Sequence, residues 1–407
     1  MTSPIGSNHR WLSKYPELGS GPLPYDHILS EESFDKQREH IFKKCWLFVG
    51  RQEQIAKKGD YFVAKVDIAQ TSVVVVRQPD GSIGAFHNVC KHRGNKLMRE
   101  DSGKCGRYLV CKFHGWAFDT YGNVASIPDQ ENFYDLEKSK LSLHKVRVDV
   151  WQGFIFINLD DEGTESLRDY LGELADRVDG YPFETMPTRT MWRADVGSHW
   201  RVIADAQVET YHVPYLHNNS VQGAFNGKEN EHCHILDFET FGPHHLLSVP
   251  FDPDFRPKGA EALAFQYGPS LIKTHEAGTY QMEAKLNRSN AKNWQFDLFH
   301  IFPNFNLLLF KDSYAIHQFW PTSINRSIWD VMLYQPTARS AAELFSQEQV
   351  KCVLREAVTE DGGTHEHTQE AIESRVAKEF YLKDEEIAIR HGYFTMDKMI
   401  KEGENAK

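Results

Sequence analysis

The sequence predicts an α+β chain in two parts, a small all-β domain followed by a larger domain in which antiparallel strands are flanked by helices. Three observations predict it. Short β-rich runs crowd residues 61–160. A helical run, SLRDYLGELADRVDGY at 166–181, then breaks the pattern. Beyond it, NLLLFKDSYAIHQFWP and SIWDVMLYQP read as long antiparallel strands, and from about Ala341 the chain turns helical and charged.

Taken in order, residues 1–44 read as a lead-in that ends in a short helix packing with the larger domain. Ser30 is its N-cap, and Glu31 and Glu32 sit in the first turn, where they favour the helix dipole. Residues 45–160 form the β domain. Its strands are YFVAKV (61–66), TSVVVVR (71–77), SIGAFHNV (82–89) and a closing pair within VRVDVWQGFIFINLD (146–160). Pro79-Asp80-Gly81 and Tyr121-Gly122-Asn123 have the chemistry of turns. Residues 161–407 form the larger domain, with Gly180 ending its first helical run and one helix expected around 201–217.

Composition narrows the class. Hydrophobic residues make up 41% and aromatics 13% of 407 residues, enough for sizeable cores. The net charge of −11 disfavours nucleic acid or an anionic membrane as partner. No apolar run approaches the ~20 residues of a bilayer span. The first thirty residues lack the apolar core of a secretory signal, so a cytoplasmic enzyme is expected. Six cysteines, at 45, 90, 105, 111, 233 and 352, are too sparse to staple the chain, which turns attention to metal binding.

The first candidate site is Cys90-Lys91-His92 with Cys111-Lys112-Phe113-His114, separated by 18 residues. Two cysteines and two histidines suit a tetrahedral zinc. They also suit a [2Fe–2S] cluster with two thiolates on one iron and two imidazoles on the other. The flanks favour the cluster. Arg93-Gly94 and Gly115-Trp116 let backbone N–H groups approach the sulfurs, and no helical pattern surrounds the second pair as a zinc finger requires. Cys105, inside the gap, has no histidine three residues on and reads as a loop thiol.

The second candidate lies in HWRVIADAQVETYHVPYLH (199–217). Asp205, Glu209 and His212 are spaced to share one helix face. His212 and His217 would point roughly 140° apart on a straight helix. Pro214 cannot continue the preceding helix, so the chain should bend after His212 and bring His217 back to the same centre. The pairs His232/His234 and His244-His245 lack downstream partners and read as loops.

HNVCKHRGNKL, VCKFHGWAFDTYGNV and the acid-x-x-His-x4-His run together resemble the alpha subunit of Rieske non-heme iron aromatic-ring-hydroxylating oxygenases. The resemblance implies that Cys90 and Cys111 hold one cluster iron and His92 and His114 the other. It implies a mononuclear Fe(II) on His212, His217 and a distant aspartate. VTEDGGTHEHTQ offers Asp361 for that place, with Glu360 as rival and His365 and His367 solvated. It implies that Glu209 bridges His212 to a cluster histidine of a neighbouring subunit, here His114, with Asp205 one turn earlier as the alternative bridge. Most members carry Asp at the place of Glu209. The implied fold is a Rieske domain of stacked antiparallel sheets, then a catalytic domain with a large antiparallel sheet covered by helices.

The same resemblance implies a head-to-tail homotrimer, or an α3β3 assembly with a small β subunit. Electrons would come from NADH through a separate reductase, with or without a ferredoxin, since no G-x-G-x-x-G turn is present. The implied activity is O2-dependent mono- or dihydroxylation of an aromatic or other apolar substrate. Alternatives are O- or N-dealkylation, oxidation of a quaternary amine, a bare Rieske electron carrier and a zinc-stabilised binding protein. The run LFHIFPNFNLLLFKDSYAIHQFWP is expected to wall the substrate pocket.

Overall fold

The structure, a computed structural model, describes residues 10–221, 223–267 and 285–405. The first nine residues, part of the expected lead-in, lie outside the described residues. The chain divides into two compact units, Arg38–Tyr170 and a second made of Met1–Gln37 with Leu171–Lys407. Among the described residues no helix is long and apolar enough to cross a membrane.

The smaller unit is built of antiparallel sheets. One has four strands in the order Ile83–His87, Thr71–Arg77, Asp60–Val66, Ser102–Lys104. A second has the order Arg147–Trp151, Phe154–Asn158, Leu47–Arg51, and a third Tyr108–Val110, Ala117–Asp119, Val124–Ser126. The run Val73–Val76 is buried on both faces, which explains why it lacks the alternation of a half-exposed strand. The turn at Asp80-Gly81 forms as its residues demand. Asp80 accepts from the Ser82 N–H at 2.9 Å, and Gly81 takes φ 93°. At the other turn a Cβ on Gly122 would lie 2.5 Å from the Phe86 ring, so only glycine fits. The 18-residue gap between the two metal-binding loops is not plain loop. It contains the short strands Ser102–Lys104 and Tyr108–Val110, which sequence patterning missed because three residues carry no measurable period.

The larger unit is organised by a seven-stranded antiparallel sheet. Its order is Thr188–Val196, Arg326–Gln335, Tyr314–Ser323, Phe305–Leu309, Trp294–Ile301, His244–Pro250, Asp237–Phe241. The run NLLLFKDSYAIHQFWP is two strands, not one, folded back at Lys311-Asp312 so that Leu309 pairs with Tyr314. His244 and His245 do not form a loop. They begin the strand next to the sheet's edge and are buried, at 0% and 1% exposure, beneath the C-terminal helix Ile387–Asn405. Gly242, with φ 59°, makes the hairpin turn that precedes the strand. His232 and His234 do lie outside regular elements, on either side of a buried Cys233.

The helix expected around 201–217 is two helices, Trp200–Ala206 and Val213–Leu216, with turns between. The first starts where His199 Nδ1 accepts the Arg201 N–H at 3.1 Å, and ends at Gln207. Pro214 does not end the first helix. It sits at the start of the second, where no amide hydrogen is needed. The longest helix, Ala341–Glu373, is capped by Ser340, whose hydroxyl accepts the Glu343 N–H at 3.1 Å. Such a cap contributes about 1 kcal/mol. The helix carries Asp361 on its buried side.

Candidate metal centres

In the smaller unit the two motifs form matched loops. Gly94 N–H donates to Cys90 O and Gly115 N–H to Cys111 O, each at 3.0 Å, and the two glycines take φ 72° and 73°. A side chain would be strained at either place, which is why glycine follows each motif. The cysteines are buried in a core of Tyr61, Val74, Phe86, Leu109 and Phe118. The histidines stand further out: His92 is half-buried and His114 exposed. Their rings lie 4.5 Å apart, and Trp116 stacks flat on His92 at 5.0 Å.

The thiols are prepared differently. Burial pushes Cys90 up to about 11. At Cys111 burial acts in the same sense, but the Phe113 N–H, the Cys90 thiol and the Asn95 amide outweigh it and hold the thiol below its ordinary value. The donors near the sulfurs are therefore the N–H groups of His92, Arg93, Phe113 and His114, with the glycines shaping the loops that present them.

Two observations fit a binuclear cluster here. His92 Nδ1 is buried with no hydrogen-bond partner, a nitrogen lone pair or proton left for a metal to replace. The four donors also do not converge on one point. Among the described residues the one set of three or more His, Cys, Asp or Glu donors within 4.8 Å of one another is elsewhere. Around a single tetrahedral zinc, all donors would lie within about 3.8 Å of each other. Two irons would take the cysteine pair and the histidine pair separately, so this arrangement fits a binuclear cluster better than a single zinc ion.

That other set is His212, His217 and Asp361. Here the two imidazoles face each other through Nε2 at 3.1 Å, and Asp361 Oδ1 lies 3.5 and 3.3 Å from those nitrogens. Neighbouring positions of an octahedral ion with bonds of about 2.1 Å are about 3 Å apart, which these distances match. Each far nitrogen is tied to a carboxylate. His212 Nδ1 meets Glu209 Oε1, and His217 Nδ1 meets Glu360 Oε2 at 3.0 Å. A carboxylate accepts, so both Nδ1 atoms carry the proton and both Nε2 atoms present lone pairs. Asp361 Oδ1 is buried without a donor, while Oδ2 accepts from Gln207 Nε2 at 3.0 Å. Three lone pairs thus meet at one point, which is stable only around a cation.

The charges agree. Burial works against a charged His212 ring, and Glu209 more than offsets it, raising its affinity for a proton or a metal. Burial likewise works against ionised Asp361, and positive charge at the two histidine rings, as protons or as the cation their lone pairs would hold, reverses it and keeps the carboxyl below its ordinary range.

Glu209 spends its second oxygen on its own chain, accepting the N–H groups of Tyr211 and His212. Asp205 is turned elsewhere. It closes the buried helix Trp200–Ala206, contacts Arg201 and Tyr393, and burial pushes its carboxyl up to about 6. Asp205 and Glu209 do not share a helix face, because the helix ends before Glu209. Glu360 is placed as the partner of His217, held also by the Ser220 hydroxyl and the Asn219 N–H, and not at the metal point. His367 is exposed, but His365 is not solvated. It is buried against Trp329, ring centres 5.3 Å apart, and burial pushes it down to about 4. Sequence reading missed Gln207, which no spacing rule marks, and His317, one histidine among twenty.

The open side of the triad borders a cavity of about 140 Å³. Its walls are Val221, Phe225, Leu247, Val249 and Phe296, with Leu298, Leu308 and Phe310 from the run expected to form them. Helix residues Leu354 and Ala357 and the ring of His317 complete it.

The model of the ring hydroxylating alpha subunit (catalytic domain) matches residues 183–402, and that of the Rieske [2Fe-2S] domain residues 45–147. A benzene 1,2-dioxygenase subunit alpha of Pseudomonas putida is 40% identical over 177 residues, 42% of this chain and 38% of that relative. A carnitine monooxygenase oxygenase subunit of Escherichia coli (strain K12) is 31% identical over 205 residues, 49% of this chain and 54% of that one. These matches span about half or less of the relatives' own length. Among solved structures, naphthalene 1,2-dioxygenase from Rhodococcus sp. bound to indole shares the fold, with a TM-score of 0.72, 21% identity and coverage of 97% and 98%. So does a quaternary ammonium Rieske monooxygenase in complex with gamma-butyrobetaine, with a TM-score of 0.72, 19% identity and coverage of 98% and 99%. The α+β architecture, the cluster loops, the His-His-Asp triad and these matches agree, and the chain belongs to the family of Rieske-type ring-hydroxylating oxygenase alpha subunits.

Proposed function

We propose that this chain is the terminal oxygenase of a multicomponent system, using O2 and external electrons to hydroxylate an aromatic or other apolar substrate. One observation carries the reading. Two imidazoles and a carboxylate converge with their lone pairs at the wall of an apolar cavity, and an ion held by these three would keep coordination positions free on the cavity side. When bound, the [2Fe–2S] cluster supplies electrons one at a time and the Fe(II) supplies the site where O2 is reduced beside the substrate.

The chain's own residues do the rest. Cys90, Cys111, His92 and His114 hold the cluster, and the exposure of His114 suits it to hand electrons outward. Glu209 and Glu360 fix the tautomer of His212 and His217, and Gln207 fixes the rotamer of Asp361. The cavity orients the substrate and keeps bulk water away. In this reading residues 45–160 are the Rieske domain, 161–407 the catalytic domain, and Asp205 supports the iron helix through Arg201. The chains assemble head to tail as a trimer, alone or with small β subunits, so that Glu209 of one subunit approaches the cluster histidine His114 of the next. A cytoplasmic reductase draws on NADH, with or without a ferredoxin between.

A second reading is oxidation of an N- or O-alkyl carbon, which ends in dealkylation at the same site. The faces of Phe225, Phe296 and Phe310 in the cavity suit a quaternary ammonium group by cation–π attraction. The test is turnover with a surrogate reductase under 18O2 on a panel of arenes, alkyl ethers and quaternary amines, products identified by mass. Labelled oxygen in an arene product is expected. Metal-loaded protein that oxidises no panel member would sink the proposal, and dealkylated amine with formaldehyde from a quaternary amine alone, identified without the label because formaldehyde exchanges its oxygen with water, would select the second reading.

A further inference from the structure

The sheet beneath the cavity changes character along its strands. Val249 pairs with Phe296, whose ring meets Phe310 at 4.8 Å. One step along, Leu247, Leu298 and Leu308 pair in a second apolar row. Side chains on one face recur every two residues, so the next row on that face is His245, His300, Asn306 and His317. All four are buried at 3% exposure or less.

Three of these residues have partners. His245 Nδ1 is 3.0 Å from His391 Nδ1, and His300 Nδ1 is 2.6 Å from Asn306 Oδ1. His317 has none. Both its ring nitrogens are buried without a hydrogen-bond partner, and it is the member of the row that lines the cavity. Its ring packs 5.6 Å from Trp329, which fixes the plane and leaves the two edges. A half-turn about χ2 exchanges the carbon edge for the nitrogen edge within the same space, so either can meet the cavity. Buried polar groups in folded proteins are nearly always satisfied. Burial pushes His317 down to about 4, so near neutral pH it offers one N–H and one lone pair and no charge.

We infer that His317 sets the specificity of the cavity by binding a neutral hydrogen-bonding substituent, a hydroxyl, carbonyl or ring N–H, on an otherwise apolar substrate. This rests on the cavity being the substrate site. A site built to hydrogen-bond a substrate group rejects the analogue that lacks it, because the site's own polar atoms are then left unpaired.

The probes are naphthalene and 1-naphthol, matched except for one hydroxyl, titrated calorimetrically into the holoenzyme. The wild type should bind 1-naphthol about 10-fold more tightly, the worth of one buried hydrogen bond. His317→Phe should remove that preference. His317→Gln, which keeps a donor and an acceptor, should retain part of it and guards against a folding defect in the first variant. No preference in the wild type, or an unchanged preference in His317→Phe, overturns the inference. So does tighter binding of both probes by His317→Phe, since the imidazole would then serve only water. The broader reading fails separately, as an absence of 18O in any product of the metal-loaded wild type.

Discussion

The two metal centres are built in opposite ways. The cluster loops are local. Cys90 to Gly94 and Cys111 to Gly115 each close on themselves through one backbone hydrogen bond, so each half-site is complete within five residues. The iron triad is assembled from afar. His212 and His217 come from turns and a four-residue helix, and Asp361 from the middle of a helix of 33 residues. Glu209 and Glu360 then brace the histidines from those same two segments. A local site depends on loop chemistry, whereas an assembled site depends on the packing that brings its segments together. The two should therefore fail separately.

The largest effect expected is from Asp361→Ala. It removes the carboxylate with the unpartnered oxygen and leaves two lone pairs facing each other, so the mononuclear iron and all product formation should be lost. The cluster's visible absorption should stay, because its ligands lie in the other unit. Metal analysis beside the visible spectrum checks this. Full iron content with turnover would return the ligand role to Glu360.

Acid should separate the units next. The larger unit buries neutral histidines, with His199 and His300 pushed down to about 3 and His391 to about 4, in each case chiefly by burial. The core around the cluster is built instead of valine, tyrosine, phenylalanine and leucine. A histidine whose folded value lies below 6.5 is stabilising while neutral. As pH falls below about 6.5 the unfolded chain takes up the proton first, and that stability drains away until the folded value is passed. A shift of this size amounts to on the order of 4 kcal/mol for each fully buried ring. Between pH 6.5 and 4 the larger unit should lose urea resistance steeply while the cluster absorption persists. Parallel loss of both signals would mean that the units do not unfold independently.

How far each centre could be read from the sequence follows from the same contrast. Cys90, His92, Cys111 and His114 stand out in the sequence because their spacing and glycines by themselves build the two matched loops. His212, His217 and Asp361 were legible only through resemblance, since nothing local joins position 212 to 361. The helix around 201–217 was misjudged at its middle. The helix ends at Gln207, whose side chain reaches Asp361 from 154 residues away, a contact that no local pattern shows. Pro214 suits a stop and a start equally, since proline is as welcome in the first turn of a helix as it is unwelcome in the interior, and sequence alone does not say where the turn begins. His244, His245, His317 and His365 were hidden because polar residues in a buried sheet or under a helix look, in sequence, like surface.

Glu209→Gln, loaded with saturating Fe(II) so that both metals are bound despite its weaker iron affinity, should lower product formation ~10–100-fold, the usual cost of losing a charged brace behind a metal histidine. Single-turnover rates of cluster oxidation and product release check it. A wild-type rate would remove Glu209 from electron delivery. Glu209→Asp should recover part of the loss, since a shorter carboxylate still reaches one of its two sets of donors.

The smallest effect is expected from Glu360→Gln, and the reason lies in where the new amide can turn. Glu360 Oε2 accepts from His217 Nδ1 and the Ser220 hydroxyl, while Oε1 accepts the exposed Asn219 N–H at 2.9 Å. In the glutamine, the carbonyl oxygen can keep the first pair. Its NH2 then faces the Asn219 N–H, a clash of two donors that solvent at the surface relieves. Glu209 faces more donors. One of its oxygens takes the His212 ring and the other takes two backbone N–H groups, so an amide there must oppose either two donors or the protonated Nδ1. Ferrous affinity, measured by competition with a chelator, should fall no more than about 10-fold in Glu360→Gln, the low end of the range for such braces. The fall in Glu209→Gln should be larger. If Glu360→Gln weakens iron the more of the two, its NH2 has turned to His217 and forced the proton onto Nε2, and the brace on His217, not that on His212, is the one that holds the metal.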